Sequence, residues 1–182
     1  MSAGSRRLGA RLDMSRETHT LQTESVEETL ELAETFTELL RPGDIVALTG
    51  TLGAGKTCFV KGLGRGLGVD PDEVTSVSFL LMKEHAGEMP LYHFDAYRLE
   101  GADELEAIGC REAFEGRGIC AIEWADHVSE CLPEEHFSVH MEVTGETSRR
   151  LTVGGSGPET RERLSSAADT LDPWAAGDAD NQ

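Results

Sequence analysis

Basic residues are scarce in this chain of 182 residues, which has 16 lysines and arginines against 34 aspartates and glutamates. The formal net charge is −18, and no local block of lysine and arginine offsets it. A surface with this charge repels the phosphate groups of nucleic acids. The composition therefore argues against tight, direct binding to bare DNA or RNA, and we expect no DNA partner.

Long apolar runs are also absent. No stretch approaches the roughly 18 consecutive apolar residues that a membrane-spanning helix needs. The first segment, MSAGSRRLGARLDMSR, lacks the apolar core of a secretory signal peptide. We therefore predict a cytoplasmic protein that does not bind membranes.

Cysteine is sparse, and its spacing excludes common zinc sites. The four cysteines are Cys58, Cys110, Cys120 and Cys131, and no two of them form a C-x-x-C pair. Structural zinc sites are built from such close pairs. In a chain without a signal peptide, free thiols are the expected state of all four.

Glycine, in contrast, is concentrated in one short stretch, GTLGAGKTC, which spans residues 50–58 and matches the phosphate-loop pattern G-x-x-x-x-G-K-[ST]. Glycines let backbone N–H groups turn towards phosphate oxygens, and the N-terminus of a helix favours an anion. In such a loop Lys56 would contact the β- and γ-phosphates, and the Thr57 hydroxyl would bind Mg²⁺. The alternative is a glycine-rich turn without a ligand.

A magnesium ion at this loop needs oxygen ligands beyond Thr57 and the phosphates, and a carboxylate is the usual one. Asp95 and Glu123 are the candidates, because each directly follows a short apolar run that predicts a buried strand. A capping or surface carboxylate is the alternative for either acid. His93 shares a strand face with Asp95, since alternate residues point the same way, and either a local role or simple packing fits it.

Apolar periodicity predicts alternating helices and strands. A first helix begins after Ser25, with Glu28 placed as in a capping box, and ends before Pro42. Strands are predicted over 45–48, 77–82, 91–94 and 119–122, helices over 58–69 and 101–116, and a β-hairpin over 136–155.

This alternation predicts an α/β fold like that of P-loop NTPases: a mainly parallel sheet flanked by helices, with an antiparallel hairpin near the C-terminus. Residues 21–154 are predicted to form a single domain. Residues 1–20 are predicted to be a disordered extension. Residues 155–182, in which Gly, Ser, Ala, Asp and Pro are frequent, are predicted to be a disordered acidic tail.

Several classes of phosphate-loop protein do not fit. The chain has neither the N/T-K-x-D and D-x-x-G motifs of GTPases nor an LSGGQ-type stretch of transporter ATPases. A small-molecule kinase stays open as an alternative. It receives little support, because Arg111 and Arg117 are the only basic residues between Arg98 and Arg149 that an acceptor pocket could use.

Five stretches, GTLGAGKT, VTSVSF, HFDAYRL, ELEAIGCREAF and ICAIEW, together resemble the bacterial TsaE (YjeE) family in their order and spacing. The resemblance covers about residues 21–153. It implies a P-loop ATPase that uses ATP and Mg²⁺ in the threonylcarbamoyladenosine (t6A) modification of tRNA. It implies the TsaB–TsaD pair as partners, in which TsaD transfers the threonylcarbamoyl group to adenosine 37. Slow ATP hydrolysis would reset that complex, and tRNA would be contacted only indirectly, through the partners.

The resemblance also assigns roles to individual residues. Lys56, Asp95 and Glu123 are expected to be catalytic, with Asp95 positioning or deprotonating the attacking water. Thr57 and Glu123 are expected to bind Mg²⁺. The residues expected to bind the nucleotide are Gly50, Leu52, Gly53, Ala54, Gly55, Lys56, Thr57, Cys58, Thr75, Ser76 and Trp124.

Two positions depart from the family pattern. The family has an aspartate where this loop has Thr51, and a proline where the segment after Thr75 and Ser76 has Val77. That segment resembles a switch near the γ-phosphate, and loss of proline removes a fixed backbone angle. A nucleotide-binding scaffold without catalysis is therefore a further alternative. Trp124, beside Glu123, is interpreted as a nucleotide sensor or as a core residue.

Overall fold

One mixed sheet of seven strands organises the chain in the computed structural model, which describes residues 18–70, 72–77 and 79–177. The strands are β1 (Thr18–Thr23), β2 (Ile45–Gly50), β3 (Met82–His85), β4 (Leu91–Asp95), β5 (Ile119–Glu123), β6 (Phe137–Val143) and β7 (Arg149–Gly155). The helices are α1 (Val26–Phe36), α2 (Lys56–Gly66), α3 (Ala102–Ala107), α4 (Cys110–Phe114), α5 (Pro158–Ser166) and α6 (Ala168–Leu171). Short 3₁₀ segments lie at Thr37–Leu39, Ala125–Cys131 and Asp172–Trp174. None of the helices in this part of the chain combines the length and apolar character needed to cross a lipid bilayer.

The strand order is β1-β7-β6-β2-β5-β4-β3. The four central strands, β6, β2, β5 and β4, run parallel, whereas β1, β7 and β3 add antiparallel pairs at the two sides. The predicted α/β class is confirmed. The predicted antiparallel hairpin near the C-terminus is confirmed as β6 and β7, and β6 also pairs in parallel with β2. The carboxyl ends of β2, β4 and β5 therefore meet at one edge of the sheet.

Helices cover both faces of the centre of the sheet, and β2 contributes side chains to both cores. Val46 and Leu48 pack in a core with α1 and α2, while Ile45 and Ala47 pack in a second core with α3 and α4. Alternate residues of a strand point to opposite faces. A strand covered on both faces therefore needs the uninterrupted apolar run that predicted it, and the predictions for β2, β4 and β5 are confirmed.

Helices α1 and α2 pack closely against each other. The Ser25 hydroxyl caps α1 by accepting the Glu28 N–H at 3.1 Å, as the sequence predicted. Gly62 of α2 lies where an added Cβ would collide with the Leu30 carbonyl and the Ala33 side chain of α1. The absence of a side chain at Gly62 therefore permits close contact between α2 and α1.

The predicted strand over residues 77–82 is wrong, because the strand there starts only at Met82. Val77 is buried, and its carbonyl accepts the N–H groups of Leu80 and Leu81 in a turn. Phe79 and Leu80 are 85% and 67% exposed. The run looked like a strand because it is apolar, but its large side chains face solvent and its backbone turns before it pairs with β4. Residue 78 lies outside the described residues.

The helix predicted over 101–116 is two helices, α3 and α4, separated at Gly109. Gly109 has a φ of +90°, a left-handed conformation that glycine adopts without a steric penalty. Leu105 and Cys110 still point into the same core. The apolar spacing was therefore sufficient to locate the buried face but not the break.

The prediction that residues 155–182 form a disordered tail is wrong for most of this segment. The structure has α5 and α6 in this segment, and Leu164 and Leu171 are buried against the sheet and α1. Arg163 pairs with Asp44 at 2.6 Å, which fastens α5 to the segment before β2. These two leucines and the ion pair supply an apolar contact and a fixed orientation that composition does not reveal. Residues 178–182 lie outside the described residues.

The prediction of a disordered extension over 1–20 is wrong for residues 18–20. Residues 18–20 belong to β1, an edge strand that pairs antiparallel with β7. Near its middle, Leu21 forms a bridge with Ala175, and the Thr20 carbonyl accepts the Ala176 N–H at 2.9 Å. The rest of the predicted extension, residues 1–17, lies outside the described residues.

Candidate functional site

The glycine-rich loop connects the carboxyl end of β2 to the first residue of α2. Gly50 has a φ of +133°, and an added Cβ there would overlap the Met141 carbonyl oxygen of the neighbouring strand. Gly55 has a φ of +103° immediately before the helix begins. Both positions require glycine for backbone conformation, and Gly50 also requires it for space. The loop therefore presents backbone groups at a helix N-terminus beside the open end of a parallel sheet, where α/β proteins bind ligands.

Lys56 is the cation of this loop, and it is only 4% exposed. Its ammonium donates to the carbonyl oxygens of Gly50 at 2.7 Å and Thr51 at 2.9 Å. The same nitrogen lies 3.8 Å from the centroid of the Trp124 ring, a cation–π distance. The lysine is therefore held over the loop by its own backbone and by one aromatic ring.

Acidic side chains near Lys56 offset part of the effect of its burial on its pKa. Burial lowers the pKa of the Lys56 ammonium from its usual value, and the charges of Glu123, Asp95 and Asp126 act in the opposite direction. A charged lysine in this position has a compensating carboxylate environment. It is therefore available as a cation for an anionic ligand at the loop.

Thr57 and Glu123 are in direct contact, although 66 residues separate them in sequence. The Thr57 hydroxyl lies 2.8 Å from Oε1 and 3.0 Å from Oε2 of Glu123. Glu123 is the last residue of β5, beside β2, and Asp95 is opposite it on β4. The structure therefore brings together the hydroxyl and the carboxylate that the sequence analysis assigned to Mg²⁺, and both are the hard oxygen donors this ion prefers.

His93 contacts the other side of Glu123. Its ring is fully buried, and Nε2 lies 2.7 Å from Oε1 of Glu123. A carboxylate can only accept, so Nε2 carries the hydrogen and donates it. His93 lies opposite Ala121 on β5, so its contact with Glu123 is a diagonal one between neighbouring strands. Of the two interpretations left open for His93, this contact favours the local role.

Asp95 is buried at the end of β4, and its Oδ1 accepts the Tyr97 N–H at 2.9 Å. This bond closes the turn that follows the strand and fixes the carboxylate at the sheet edge. The second carboxylate oxygen is not used in that bond. The placement is compatible with the predicted role of a group that positions or deprotonates water, and that role stays a prediction.

Trp124 has a left-handed backbone, with φ 56° and ψ 41°. Bulky residues rarely adopt this conformation, and such outliers cluster at functional sites. Its ring centroid lies 4.8 Å from that of Tyr97, in addition to the contact with Lys56. Trp124 therefore lines the cleft and also packs against its neighbours, and its role as a nucleotide sensor stays a prediction.

Most of the predicted site residues line one cleft of about 240 Å³. Small-molecule pockets usually span about 300–1,000 Å³, so this cleft suits a phosphate chain better than an entire nucleotide. The residues that line it are Leu52, Gly53, Gly55, Lys56, Thr57, Cys58, Ser76, Asp95, Glu123 and Trp124. Three predicted residues do not line it: Gly50 lies behind Lys56, Ala54 is buried, and Thr75 is exposed beside Ser76.

The two departures from the family pattern have clear structural positions. The Thr51 carbonyl accepts both the Lys56 ammonium and the Ala54 N–H, so this residue contributes its backbone to the loop. Val77 is 1% exposed and anchors the segment that carries Ser76. Burial of the valine side chain thus supplies an anchor where a proline would have restricted the backbone.

One contact of the loop was missed entirely in the sequence analysis. Arg149, the first residue of β7, donates from Nε to the Ala54 carbonyl at 2.9 Å and from Nη2 to the Gly53 carbonyl at 3.2 Å. Nothing local indicates this contact, because 95 residues separate Arg149 from Ala54. Only the order of the strands, with β6 beside β2 and β7 next to β6, brings the arginine to the loop.

Comparisons with known proteins identify the family of the chain. The family model described as "Threonylcarbamoyl adenosine biosynthesis protein TsaE" matches residues 23–151. A relative from Treponema pallidum, named tRNA threonylcarbamoyladenosine biosynthesis protein TsaE, is 40% identical over 129 residues, which cover 71% of this chain and 95% of the relative. A relative of the same name from Bacillus subtilis is 41% identical over 137 residues, covering 75% and 85% of the two chains. The crystal structure of Bacillus subtilis YdiB superposes with a TM-score of 0.69 at 33% identity, covering 84% of this chain and 95% of that one.

Proposed function

Because the chain belongs to the TsaE family of threonylcarbamoyl adenosine biosynthesis proteins, we propose that it is the subunit of the tRNA t6A machinery that binds and hydrolyses ATP. The contact between Thr57 and Glu123 beside the phosphate loop is the observation that carries this proposal. It joins a hydroxyl, a carboxylate and a helix N-terminus at the edge of a parallel sheet. That combination is the one a Mg²⁺–nucleotide site of the P-loop type requires.

The cleft would bind the phosphate chain of ATP. Lys56 now donates to two loop carbonyls, and in the complex its ammonium would donate to phosphate oxygens, which carry more negative charge. The N–H groups at the start of α2 would donate to the same chain. The nucleoside would extend beyond the residues that line the cleft, which belong to the phosphate loop and the strand ends beside it.

Thr57 and Glu123 would hold the magnesium ion, and their oxygen atoms suit this ion. A bound Mg²⁺ would neutralise charge on the phosphates and stabilise the departing diphosphate. His93 would keep the Glu123 carboxylate in one orientation through its Nε2–H. The ligand set therefore has a supporting hydrogen bond from a buried donor, as metal-binding carboxylates usually do.

In hydrolysis, Asp95 would position a water molecule at the γ-phosphate and accept its proton. The water oxygen forms a bond to the γ-phosphorus, and the bond from that phosphorus to the β–γ bridging oxygen breaks. ADP and inorganic phosphate are the products. The surroundings of the Trp124 ring would change when ATP binds, because the Lys56 ammonium would move from this ring to the phosphates.

The proposed partners are TsaB and TsaD, with tRNA contacted only through them. A net charge of −18 opposes direct RNA binding. Leu52, at the cleft, and Phe79 and Leu80, which follow Ser76, are 79%, 85% and 67% exposed. Large exposed apolar side chains of this kind favour a protein surface as the neighbour. A partner bound at these side chains would respond to ATP binding at the cleft. We propose the cytoplasm as the compartment of this function.

The test is ATP hydrolysis by the purified chain, alone and with the TsaB–TsaD pair, in the presence and absence of Mg²⁺. We expect slow, Mg²⁺-dependent release of phosphate that changes when the pair is added. Lys56→Ala should abolish it, whereas Lys61→Ala, which removes one positive charge elsewhere on α2, should not.

Other outcomes would point to other functions. Tight ATP binding without turnover in either condition would favour a nucleotide-gated scaffold. Stoichiometric phosphorylation of a small acceptor, with no free phosphate, would favour a kinase. If the chain binds no ATP at all, the proposal is wrong.

A further inference from the structure

Arg149 uses its guanidinium group to hold backbone from two different segments. Besides the bonds to Ala54 and Gly53 of the phosphate loop, Nη1 donates to the carbonyls of Gly145 at 3.2 Å and Ser148 at 2.8 Å. All four acceptors are neutral carbonyl oxygens. The arginine therefore ties the turn of the β6–β7 hairpin to the phosphate loop.

The two bonds to the loop fix two successive peptide planes. In a trans peptide, the C=O and the following N–H point in opposite directions. A bond that holds the Ala54 carbonyl towards Arg149 therefore directs the N–H of Gly55 away from it, towards the cleft side of the loop. The neighbouring plane is held in the same way, and its N–H, from Ala54, donates to the Thr51 carbonyl inside the loop.

The geometry suits an arginine in particular. Its planar group offers parallel donors to adjacent acceptors, whereas a lysine offers a single point of charge. An added Cβ at Gly55 would contact Arg149 Nε at 3.7 Å, which places the guanidinium directly against the loop. Since its hydrogen-bond partners are neutral carbonyls, the positive charge also lies uncompensated by them beside the proposed phosphate site.

We propose that Arg149 is a positioning residue of the phosphate loop, which orients the peptide planes of Gly53 and Ala54 so that the loop binds the phosphates of ATP. The role in ATP binding rests on the proposed function above. Arg149 acts through the backbone and is not itself assigned a contact with the nucleotide. The orientation of the loop is a property of the nucleotide-free chain and can be measured without it.

Arg150 provides the matched control. It is the next residue of β7, it is exposed, and alternate residues of a strand face opposite sides. Arg150→Met removes the same charge as Arg149→Met but leaves the contacts of the loop intact. Arg149→Lys keeps the charge and removes the paired donors.

The first measurement is ATP affinity in Mg²⁺ by calorimetry. We expect Arg149→Met and Arg149→Lys to bind ATP at least about tenfold more weakly than the unmodified chain, because each loses charged hydrogen bonds to the loop. Arg150→Met should stay within about twofold. If Arg149→Lys binds ATP as well as the unmodified chain, charge alone is sufficient and the positioning role is wrong. The positioning role is also wrong if Arg149→Met and Arg150→Met change the ATP affinity by the same factor.

The second measurement separates this inference from the proposed function. Hydrogen–deuterium exchange of the nucleotide-free proteins should be faster at residues 53–57 in Arg149→Met than in Arg150→Met, with the same exchange in β2 and β5. Unchanged exchange at the loop would overturn the positioning role. If the unmodified chain binds no ATP, the proposed function and its consequence for affinity fail, while this exchange difference still decides whether Arg149 holds the loop.

Discussion

His93 donates a hydrogen bond of 2.7 Å to Glu123 from a fully buried position on the neighbouring strand. Glu123 also accepts the Thr57 hydroxyl, so its carboxylate is held from two sides by groups of two different elements. A carboxylate that is held by two hydrogen bonds can bind a cation without further ordering of its side chain. The site is thus organised before any ligand enters it.

His93→Leu should weaken the dependence on magnesium. The leucine fills a similar volume but donates nothing, and loss of a hydrogen bond behind a metal ligand costs about 10- to 100-fold in metal affinity or activity. His93→Gln places an amide N–H near the position of Nε2 and should recover much of the effect. Titration of ATPase rate with Mg²⁺ measures both. Equal curves for the leucine and glutamine variants would show that the hydrogen bond has no such role.

Glu123→Gln should act on the metal rather than on the phosphates. The amide is nearly isosteric, but it loses the charge that a divalent cation requires. We expect ATP affinity without Mg²⁺ to change by less than about threefold, and the gain in affinity on adding Mg²⁺ to fall by at least about tenfold. Calorimetry with and without Mg²⁺ gives the comparison. A gain that stays at its original size would remove Glu123 from the metal site.

Nucleotide binding should change the fluorescence of Trp124. Lys56 lies over its ring at 3.8 Å, and a lysine that moves to the phosphates changes the charge beside the indole. The second tryptophan, Trp174, lies in the C-terminal 3₁₀ segment and does not line the cleft. Trp174→Phe should therefore retain the ATP-dependent signal, and Trp124→Phe should lose it. The reverse pattern would contradict the proposed movement of Lys56.

Leu171→Ala should destabilise the fold without changing the site. The side chain is fully buried in the core against α1 and the sheet, and such truncations cost about 2–5 kcal/mol of unfolding free energy. Glu162→Ala, on the exposed side of α5, is the control and should change stability by less than about 0.5 kcal/mol. Urea denaturation measures both. If the segment after residue 155 were disordered as the composition indicated, the two variants would be alike.

His85 should make the protein less stable in mild acid. Burial is the main reason that its pKa falls to about 4 in the folded state, with help from the charges of His93 and Lys83. The unfolded chain has the ordinary value of about 6.5 and binds the proton first, so stability is lost as pH falls from about 6.5 towards 4. His85→Leu should make this loss smaller, whereas His136→Gln, a change in a partly exposed histidine, should not. Unfolding midpoints measured from pH 7 to pH 4 decide the matter.

Much of the fold was readable because burial on both faces of a strand leaves a clear pattern. The runs that became β2 and β5 are uninterrupted and apolar, and each ends at the residue where the site begins. The same reasoning failed at residues 77–82, where Phe79 and Leu80 are apolar yet exposed. It also overlooked β1, whose buried residues include His19 and Thr23, because polar side chains hide the alternation.

The C-terminal helices were missed for a different reason. Composition between residues 155 and 177 is polar and rich in small residues, so it indicated disorder. Leu164 lies in α5 and Leu171 in α6, and both side chains are buried in the same core, so each helix contributes one leucine to the contact that holds the segment. Burial of these two leucines thus holds the segment in place although its average composition indicated disorder.

Some features of the site could be predicted from the sequence, and others required the structure. Lys56 and Thr57 belong to a contiguous motif, and Glu123 follows a strand, so a one-dimensional pattern was sufficient to propose them. The contacts of His93 with Glu123 and of Arg149 with Ala54 depend on which strands are neighbours and in what register. A local sequence pattern reveals neither the order of the strands nor their register, so these two contacts required the structure.

The bond from the Ala176 N–H to the Thr20 carbonyl brings the two ends of the described chain to the same place on the sheet. β1 lies three strands from β2 in the strand order, or about 14 Å at the usual spacing between strands. The described residues therefore begin and end next to each other at the β1 edge of the sheet, three strands from the strand that carries the glycine-rich loop. The pairing of Leu21 with Ala175 also occupies backbone groups on the outer edge of β1, which protects that part of the sheet from accepting a strand of another molecule.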